Sequence, residues 1–534
     1  MENPFKPLTL TSNCSSDRAV LNDLLRCYGY EVRSEEAQAA QACGKTSEAQ
    51  LTAMDMIDVQ AKDVQDMAVV HEMGVCVPTA LARPPLLQIA WDRQKKSVRL
   101  NWQDQCQTCS WEEEVRPFAF EETWEYRRRR VLRLAFHHML IAYKLARPNP
   151  WGILTGVRPT KMIHRFLDQG LAEQEIRHIL DVEYGVEETR IDLLLQTVQY
   201  QRPILSRYAG DRRVISLYIG FPFCPSRCSY CSFPGYDLKR WKKWSEPCFQ
   251  AMLEEIRQIG GAAGKLGLKV QTMYFGGGTP TAMDAEHMDR LLTALSANFN
   301  FMPDAEWTVE GGRPETLTKE ILEVLGRHPV RRICVNPQTM QQKTLDSIGR
   351  KHRVEDVEET FARLSGSHMA INSDLILGLP GEGLAELNDT LDKLLAFRPE
   401  NITIHGLAIK RGSAFKEKYP ELLTVAAGLA MGDSARQKLT EAGYVPYYLY
   451  RQKEILAMTE NVGYSLPGQH CLYNILMMEE RQTILGIGVG ACSKFISPKD
   501  WTLENDYNPK DMIQYIERIH EIIQRKVDKL KQIV

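Results

Sequence analysis

From residue 211 to about residue 411, short β-rich runs alternate with helical runs. The strands read as "RVISLYIGF", "VQTMYFGG", "EWTVEGG", "RRICVN", "INSDLILGL" and "ITIHGLAI", each rich in Val, Ile, Tyr and Thr and bounded by Gly, Pro or Asn. Between them lie stretches such as "DAEHMDRLLTALSANF" and "LAELNDTLDKLLAF", whose apolar residues recur at helical spacing. Six such units call for parallel strands joined by crossover helices, an α/β architecture. Parallel strands of this kind carry their chemistry at their carboxyl ends. The unusual residues of the chain fall there. Three cysteines follow the first strand, "GGGTPT" follows the second, Glu310 ends the third and Gln338 follows the fourth.

The cysteines lie in "YIGFPFCPSRCSYCSFPGY": Cys224, Cys228 and Cys231, spaced CxxxCxxC. A run this short folds around one centre. Thiolates favour zinc, copper(I) or iron–sulfur clusters. A closed zinc site needs a fourth Cys or His. Ser232 is a poor ligand, and the nearest histidine onward, His287, lies beyond the next strand. Three thiolates on a four-iron cluster leave one iron open, able to chelate a small molecule through its amine and carboxylate.

The other cysteines carry less. Cys106 and Cys109 form a lone CxxC, too few ligands for a tetrahedral metal site. The rest are scattered and read as small buried hydrophobes. A formal net charge of -2 creates no global field for nucleic acid or membrane. No apolar run reaches the ~18 residues of a membrane span, and the amino-terminal stretch has no charged-then-apolar leader pattern, so a cytoplasmic protein is expected.

Three flanking regions complete the reading. Residues 1–145 mix helix with short alternating runs, including two strands on either side of Lys95 and Lys96, and form an α+β region. "ETWEYRRRRVLRLAFHHMLIAYKLA" reads as one helix; Arg127 to Arg130 read as a solvated helix start or an anion site, and His137 and His138 as packing residues. Residues 146–210 form a helical linker region after the loop "PNPWGILTGVRPTK". Residues 412–534 form a mixed, helix-rich carboxyl-terminal domain ending in an amphipathic helix over "DMIQYIERIHEIIQRKVDKLKQIV".

A CxxxCxxC loop after the first strand of a six-strand α/β core resembles the radical S-adenosylmethionine (SAM) superfamily. "GGGTPT" resembles that superfamily's glycine-rich stretch after the second strand, where glycines permit close backbone approach to SAM. "LYIGFPFC", "YFGGGTPT", "NPQTM" with "IGRKHR", "DLILGLPGE" and "LGIGVGACS" narrow the resemblance to the oxygen-independent coproporphyrinogen III oxidase/dehydrogenase-like family. "PWGILTGVRPTK", "VEGGRPETLT" and "PYYLYRQK" with "ENVGY" look like its longer HemZ-type members. The fold implied is a partial (β/α)6 TIM-like barrel.

The resemblance implies roles. Cys224, Cys228 and Cys231 would hold a 4Fe-4S cluster with an open iron for SAM. Tyr218 and Glu310 would contact SAM at the reaction centre, and Gly277, Gly278 and Thr279 would line it. Gln338, Arg350 and Asp374 would contact a second SAM, with Gly406 and Cys492 at further cofactor positions. Tyr473 and Asn474 match a carboxyl-terminal segment brought to the active site. Arg411 and Arg451, with Lys239, Arg240, Lys410 and Lys453, are candidate partners for a multiply anionic substrate. There are departures. Phe233 stands where relatives often carry another cysteine, Gly220 where they carry a histidine, Gly406 in place of alanine and Cys492 in place of isoleucine.

The reaction implied is oxidative decarboxylation of two propionates of coproporphyrinogen III to vinyls, giving protoporphyrinogen IX. A low-potential donor such as flavodoxin or ferredoxin would supply the electron. The alternatives are a haem chaperone, another porphyrin-directed radical enzyme (methyltransferase or ring-opening), and an RNA-modifying enzyme suggested by Arg127 to Arg130.

Overall fold

The computed structural model describes residues 9–12, 21, 30–34, 55–61, 86–92, 97–103, 107–115, 123–145, 149–156, 158–231, 235–408, 425–452, 460–497 and 502–533. They group into two units, residues 1–157 with 165–193 and residues 158–164 with 194–534. Each is described by itself.

In the first unit, β1 (Thr9–Ser12), β2 (Tyr30–Ser34), β3 (Asp55–Ala61), β4 (Leu86–Asp92), β5 (Ser97–Gln103) and β6 (Thr108–Glu114) form one sheet. Its order is β2-β3-β1-β4-β5-β6. The strands read on either side of Lys95 and Lys96 are β4 and β5, antiparallel with Asp92 opposite Ser97. Alternation turns Leu87, Ile89, Val98, Leu100 and Trp102 inward. They pack with Val131, Leu132, Ala135, Phe136, Met139 and Leu140, which share one face of the helix Trp124–Ala142. Each large side chain taken out of water contributes ~1.5–3 kcal/mol. Thr123 starts that helix by accepting from the Tyr126 N–H.

The arginine run differs from expectation. Arg128 and Arg130 are buried. Arg128 lies over the Trp91 ring at 5.2 Å, Arg129 pairs with Glu125 at 3.0 Å, and Arg130 pairs with Glu183. Burial of two of the four and the pairing of Arg128, Arg129 and Arg130 within the unit leave no continuous solvated face. His137 is a packing residue, pushed down to about 4 by burial. His138 packs its ring against Trp111 at 5.7 Å and also sets its Nδ1 3.0 Å from Glu113 Oε2.

The second unit is built on eleven strands. They are β7 (Val214–Phe221), β10 (Lys269–Gly277), β11 (Phe301–Glu310), β12 (Val330–Cys334), β13 (Ala370–Leu377), β14 (Asn401–Gly406), β15 (Val445–Tyr450), β16 (Asn461–Ser465), β17 (Ile484–Gly488), β18 (Cys492–Ile496) and β19 (Leu503–Tyr507). A separate two-stranded ribbon joins β8 (Phe223–Cys224) to β9 (Tyr236–Asp237). The six strands read from the sequence, β7 and β10 to β14, are neighbours in chain order and all parallel. This is the connectivity of a partial (β/α)6 barrel. Strand β11 begins at Phe301, five residues before the expected Glu306.

Burial along β7 is nearly continuous, as for a parallel strand covered on both faces. The crossover helices start on caps: Asp284 accepts from the His287 N–H at 2.9 Å and Thr318 from the Ile321 N–H at 3.3 Å. In the helix Ala285–Asn298, Met288, Leu291, Leu292 and Leu295 form the inward stripe.

Strands after residue 412 extend the same sheet at both ends. β16 pairs antiparallel with β14, and β17 pairs parallel with β7. The expected carboxyl-terminal helix is two, Met512–Glu517 and Ile519–Ile533. Arg518 leaves helical geometry at φ −103° and ψ 17°, and its side chain pairs with Glu521 in the next turn. Among the described residues no helix is long and apolar enough to cross a membrane.

Candidate active site at the carboxyl edge of the parallel strands

Strand β7 runs directly into the cysteine loop. Tyr236 N–H donates to Pro222 O at 2.8 Å and Leu238 N–H to Cys224 O at 3.1 Å, so the loop is clasped at its root. Ser229 N–H donates to Ile348 O at 3.0 Å and anchors its middle. Cys224, Cys228 and Cys231 are all half-buried. Burial pushes the Cys224 thiol up to about 11, against the Thr279 hydrogen bond and the Arg313 cation, which pull it down. Arg313 donates to Cys228 Sγ at 3.0 Å and to Ser226 O at 2.9 Å.

The glycine run of β10 is pinned to this root. Gly278 N–H bonds Phe221 O, and Thr279 N–H bonds Phe223 O at 2.8 Å. A Cβ on Gly277, which sits at φ +108°, would meet Phe221 O at 2.6 Å, and one on Gly278 would strike Phe223 O. Only glycine permits this approach.

Beside the glycines stands a wall of aromatic rings and carboxylates. Glu310 Oε1 accepts from Tyr274 Oη at 2.6 Å. Burial raises Glu310 to about 7, while the Tyr274 and Gly277 hydrogen bonds lower it and the Asp374 charge adds to the rise. The Tyr274 ring stacks on Tyr473 at 4.7 Å and on Tyr218 at 6.4 Å, and Tyr218 stacks on Tyr473 at 6.1 Å. Tyr473 rides on the helix Leu472–Glu479, whose Asn474 donates to Tyr447 Oη at 3.0 Å. On the next strands, Asp374 Oδ1 lies 3.8 Å from His405 Nε2, and His405 Nδ1 lies 3.2 Å from Tyr450 Oη.

Gln338 is held at φ +71°, a left-handed conformation rare outside glycine. Its N–H bonds Asp374 O at 2.9 Å and its O accepts from Ile376 N–H at 3.0 Å, which fixes the strained residue beside Asp374. Arg350 is buried and already engaged: it donates to Tyr230 Oη at 3.0 Å, to Asn336 O at 2.7 Å and to Gly312 O. It braces the cysteine loop from behind.

Gly406 is buried next to His405, its N–H on Asn461 Oδ1 at 3.1 Å. Cys492 is half-buried, and its backbone fills the space above Gly486. Arg451 is buried, while Lys239 and Arg240 are exposed. Cys106, Ser232, Phe233, Lys410, Arg411 and Lys453 lie outside the described residues. Arg313, Tyr274, Tyr230 and His405 had no role in the sequence reading. Arg313 and Tyr274 do stand inside the quoted runs "VEGGRPETLT" and "YFGGGTPT".

The donor set tests the expected cofactor. Among the described residues of the loop and its hydrogen-bond partners it is three thiols and the Arg313 cation. Among the described residues no three His, Cys, Asp or Glu side chains converge as a single metal ion requires. Thiolates bound to separate irons need not meet at one point, and an arginine suits the negative charge of such a group. The residues fit an iron–sulfur cluster better than a lone ion.

Residues 218–394 match the Radical SAM superfamily, the class that the parallel strands and the cysteine loop define. The chain is 42% identical over 392 residues to the oxygen-independent coproporphyrinogen-III oxidase-like protein HemZ of Bacillus subtilis, covering 72% of this chain and 77% of that protein. It is 29% identical over 286 residues to the haem chaperone HemW of Escherichia coli, covering 53% and 71%. The solved structure of the coproporphyrinogen III oxidase HemN from Escherichia coli superposes with a TM-score of 0.48 at 23% identity, covering 60% and 71%. The chain belongs to the family of HemZ, the coproporphyrinogen-III oxidase-like branch of the radical SAM superfamily.

Proposed function

We propose that this chain is a radical SAM oxidoreductase acting on a tetrapyrrole. Its reaction on this reading is oxidative decarboxylation of two propionates of coproporphyrinogen III, giving protoporphyrinogen IX. One observation carries the reading: the three-cysteine loop and its glycine run stand beside the wall of Tyr218, Tyr274, Tyr473 and Glu310, in a chain of the HemZ family.

Cys224, Cys228 and Cys231 would hold the cluster and leave one iron for SAM. When bound, the pair would supply a 5′-deoxyadenosyl radical that takes a hydrogen atom from a propionate β-carbon. The protein's own share is binding, orientation and exclusion of water. Gly277 and Gly278 would offer backbone to SAM where no side chain fits. Glu310, once ionised, would accept from SAM's ammonium group. The three stacked tyrosine rings would keep water from the reacting carbon. Asp374, beside His405, would accept from ribose hydroxyls.

A second reading, haem chaperoning, is favoured by the similarity to HemW. One anaerobic assay separates the two. The reconstituted protein receives SAM, a reductant and coproporphyrinogen III. A product lighter by two CO2 and four hydrogens supports the oxidase reading. SAM cleavage with an unchanged tetrapyrrole mass sinks it. Stable haem binding without SAM cleavage favours the chaperone.

A further inference from the structure

We propose that Arg158, Thr160 and Lys161 are positioning residues for the site: they clamp the carboxyl end of the helix Leu472–Glu479 and so fix where Tyr473 and Asn474 stand. The inference rests on the reading of the tyrosine wall as part of a site for a tetrapyrrole.

The run "PWGILTGVRPTK" has its last residues in the second unit, which includes Arg158–His164. There it meets two neighbouring carboxylates at the end of the helix Leu472–Glu479. Thr160 Oγ1 donates to Glu479 Oε1 at 2.7 Å. His164, one helical turn on, sets its Nε2 3.6 Å from Glu479 Oε2 and 2.8 Å from Gln201 Oε1. Thr160, His164, Gln201 and Glu479 are all buried. Glu480 is buried too. It accepts from Lys161 Nζ at 2.6 Å and from Lys494 Nζ at 2.7 Å, and it pairs with Arg158. Burial would raise this carboxyl, yet its three cations hold it down at about 2.

Glu480 sits at φ +51°, where the helix ends, and its N–H returns to Leu476 O at 3.1 Å. The other end of the helix is held separately. Leu472 N–H donates to Glu306 Oε1 at 2.8 Å. Glu306 Oε2 accepts from Arg332 at 3.1 Å, and Arg332 also donates to Gln469 O and His470 O at 3.1 and 3.3 Å. One end is thus tied to β11 and β12, the other to the segment Arg158–His164 and, through Lys494, to β18. Tyr473 and Glu479 are six residues apart, about 9 Å along a helix. A helix this short moves as one rod. A rotation released at Glu479 and Glu480 therefore reaches Asn474 and Tyr473, whose ring stacks on Tyr274 at 4.7 Å.

Apolar contacts would hold the helix with less desolvation. They slide, whereas charge-assisted hydrogen bonds to buried carboxylates are directional. The arrangement suits a device that fixes rotation and register.

The test uses the full chain, reconstituted with iron and sulfide, and coproporphyrinogen III. Lys161→Met removes one cation from Glu480. Thr160→Val with Lys161→Met removes the hydroxyl as well. Thr160→Ser with Lys161→Arg keeps both groups. Amide hydrogen exchange with peptide mapping is expected to speed about tenfold or more over residues 472–480 in the double variant and less in Lys161→Met. The helix Ala285–Asn298 should keep its rate in every variant, and the conservative variant should stay near wild type. At saturating SAM, the ratio of 5′-deoxyadenosine released to tetrapyrrole product is expected to rise about threefold or more. In a Tyr473→Leu background the same changes should leave that ratio where Tyr473→Leu alone puts it; a general loss of stability would add to it instead. Lys161 is partly exposed, so Lys161→Met keeps the test open if the double variant does not fold. Unchanged exchange over residues 472–480 overturns the clamp. So does faster exchange with an unchanged ratio, or a ratio that rises equally with and without Tyr473. A wild type that cleaves SAM and leaves the tetrapyrrole mass unchanged overturns the proposed reaction instead, and exchange alone then decides the clamp.

Discussion

Tyr274 donates its hydroxyl to Glu310 Oε1 at 2.6 Å, joining the ends of two adjacent parallel strands. The same tyrosine ring stacks on Tyr473 from the carboxyl-terminal part of the chain. One side chain thus both opposes the rise that burial imposes on the carboxylate and forms a face of the wall beside it.

Glu310 is raised to about 7 by burial, from an ordinary value of 4.5. Between those values the folded protein holds a proton that the unfolded chain has released, so unfolding free energy falls as pH rises across the window. SAM binding is expected to run the other way, because the ionised carboxylate accepts from the ammonium group. Calorimetric titration should show binding tightening by up to about tenfold from about pH 6 to about pH 8. Glu310→Gln should weaken binding and flatten the profile.

Tyr274→Phe removes a hydrogen bond that lowers Glu310 and leaves the ring in place. The midpoint of the SAM-binding profile should move to higher pH by roughly half a unit to one unit. A midpoint that stays put would show that the hydroxyl does not govern Glu310.

Gly278→Ala places a Cβ against Phe223 O, in the backbone that leads into Cys224. The carbonyl is held by Thr279 N–H and cannot move without breaking that bond. SAM affinity should fall about tenfold or more while the far-ultraviolet circular dichroism stays near wild type.

Cys224→Ala should lower iron and sulfide content after reconstitution and abolish SAM cleavage. Cys248→Ala, in the buried face of the helix Lys242–Lys265, is the control and should keep both. Equal iron content in the two variants would count against the ligand assignment.

Lys526 and Glu255 form a buried pair at 2.5 Å between the last helix and the helix Lys242–Lys265. Glu255 also accepts from Gly488 N–H at 2.8 Å and from Tyr515 Oη at 2.7 Å, which ties both helices to β17. Lys526→Met leaves the carboxylate buried without its cation. Urea unfolding should show a loss of about 3–5 kcal/mol, recovered in part by adding Glu255→Gln.

Legibility followed locality. The six parallel strands, the cysteine loop and the glycine run were readable because each is a contiguous pattern with its own spacing. Glu310 and Asp374 were readable as residues at or near strand ends. Arg313, Tyr274 and His405 were not, because their partners Cys228, Glu310 and Asp374 sit on other strands or loops. Arg127 to Arg130 misled for the same reason. A run of four cations looks solvated until Trp91 and Glu183 are brought to it.

By itself the sequence determined the order of strands and crossover helices, since apolar periodicity and turn residues act over a few positions. It also determined which residue types crowd the carboxyl edge. Tertiary structure alone decided which of them touch. It brought the glycines of β10 against the root of the cysteine loop, engaged Arg350 behind that loop, and stacked Tyr473 on residues some 200 and 255 positions earlier in the chain. Parallel pairing does this, because it sets strands that are distant in sequence about 4.8 Å apart and gathers their ends on one edge.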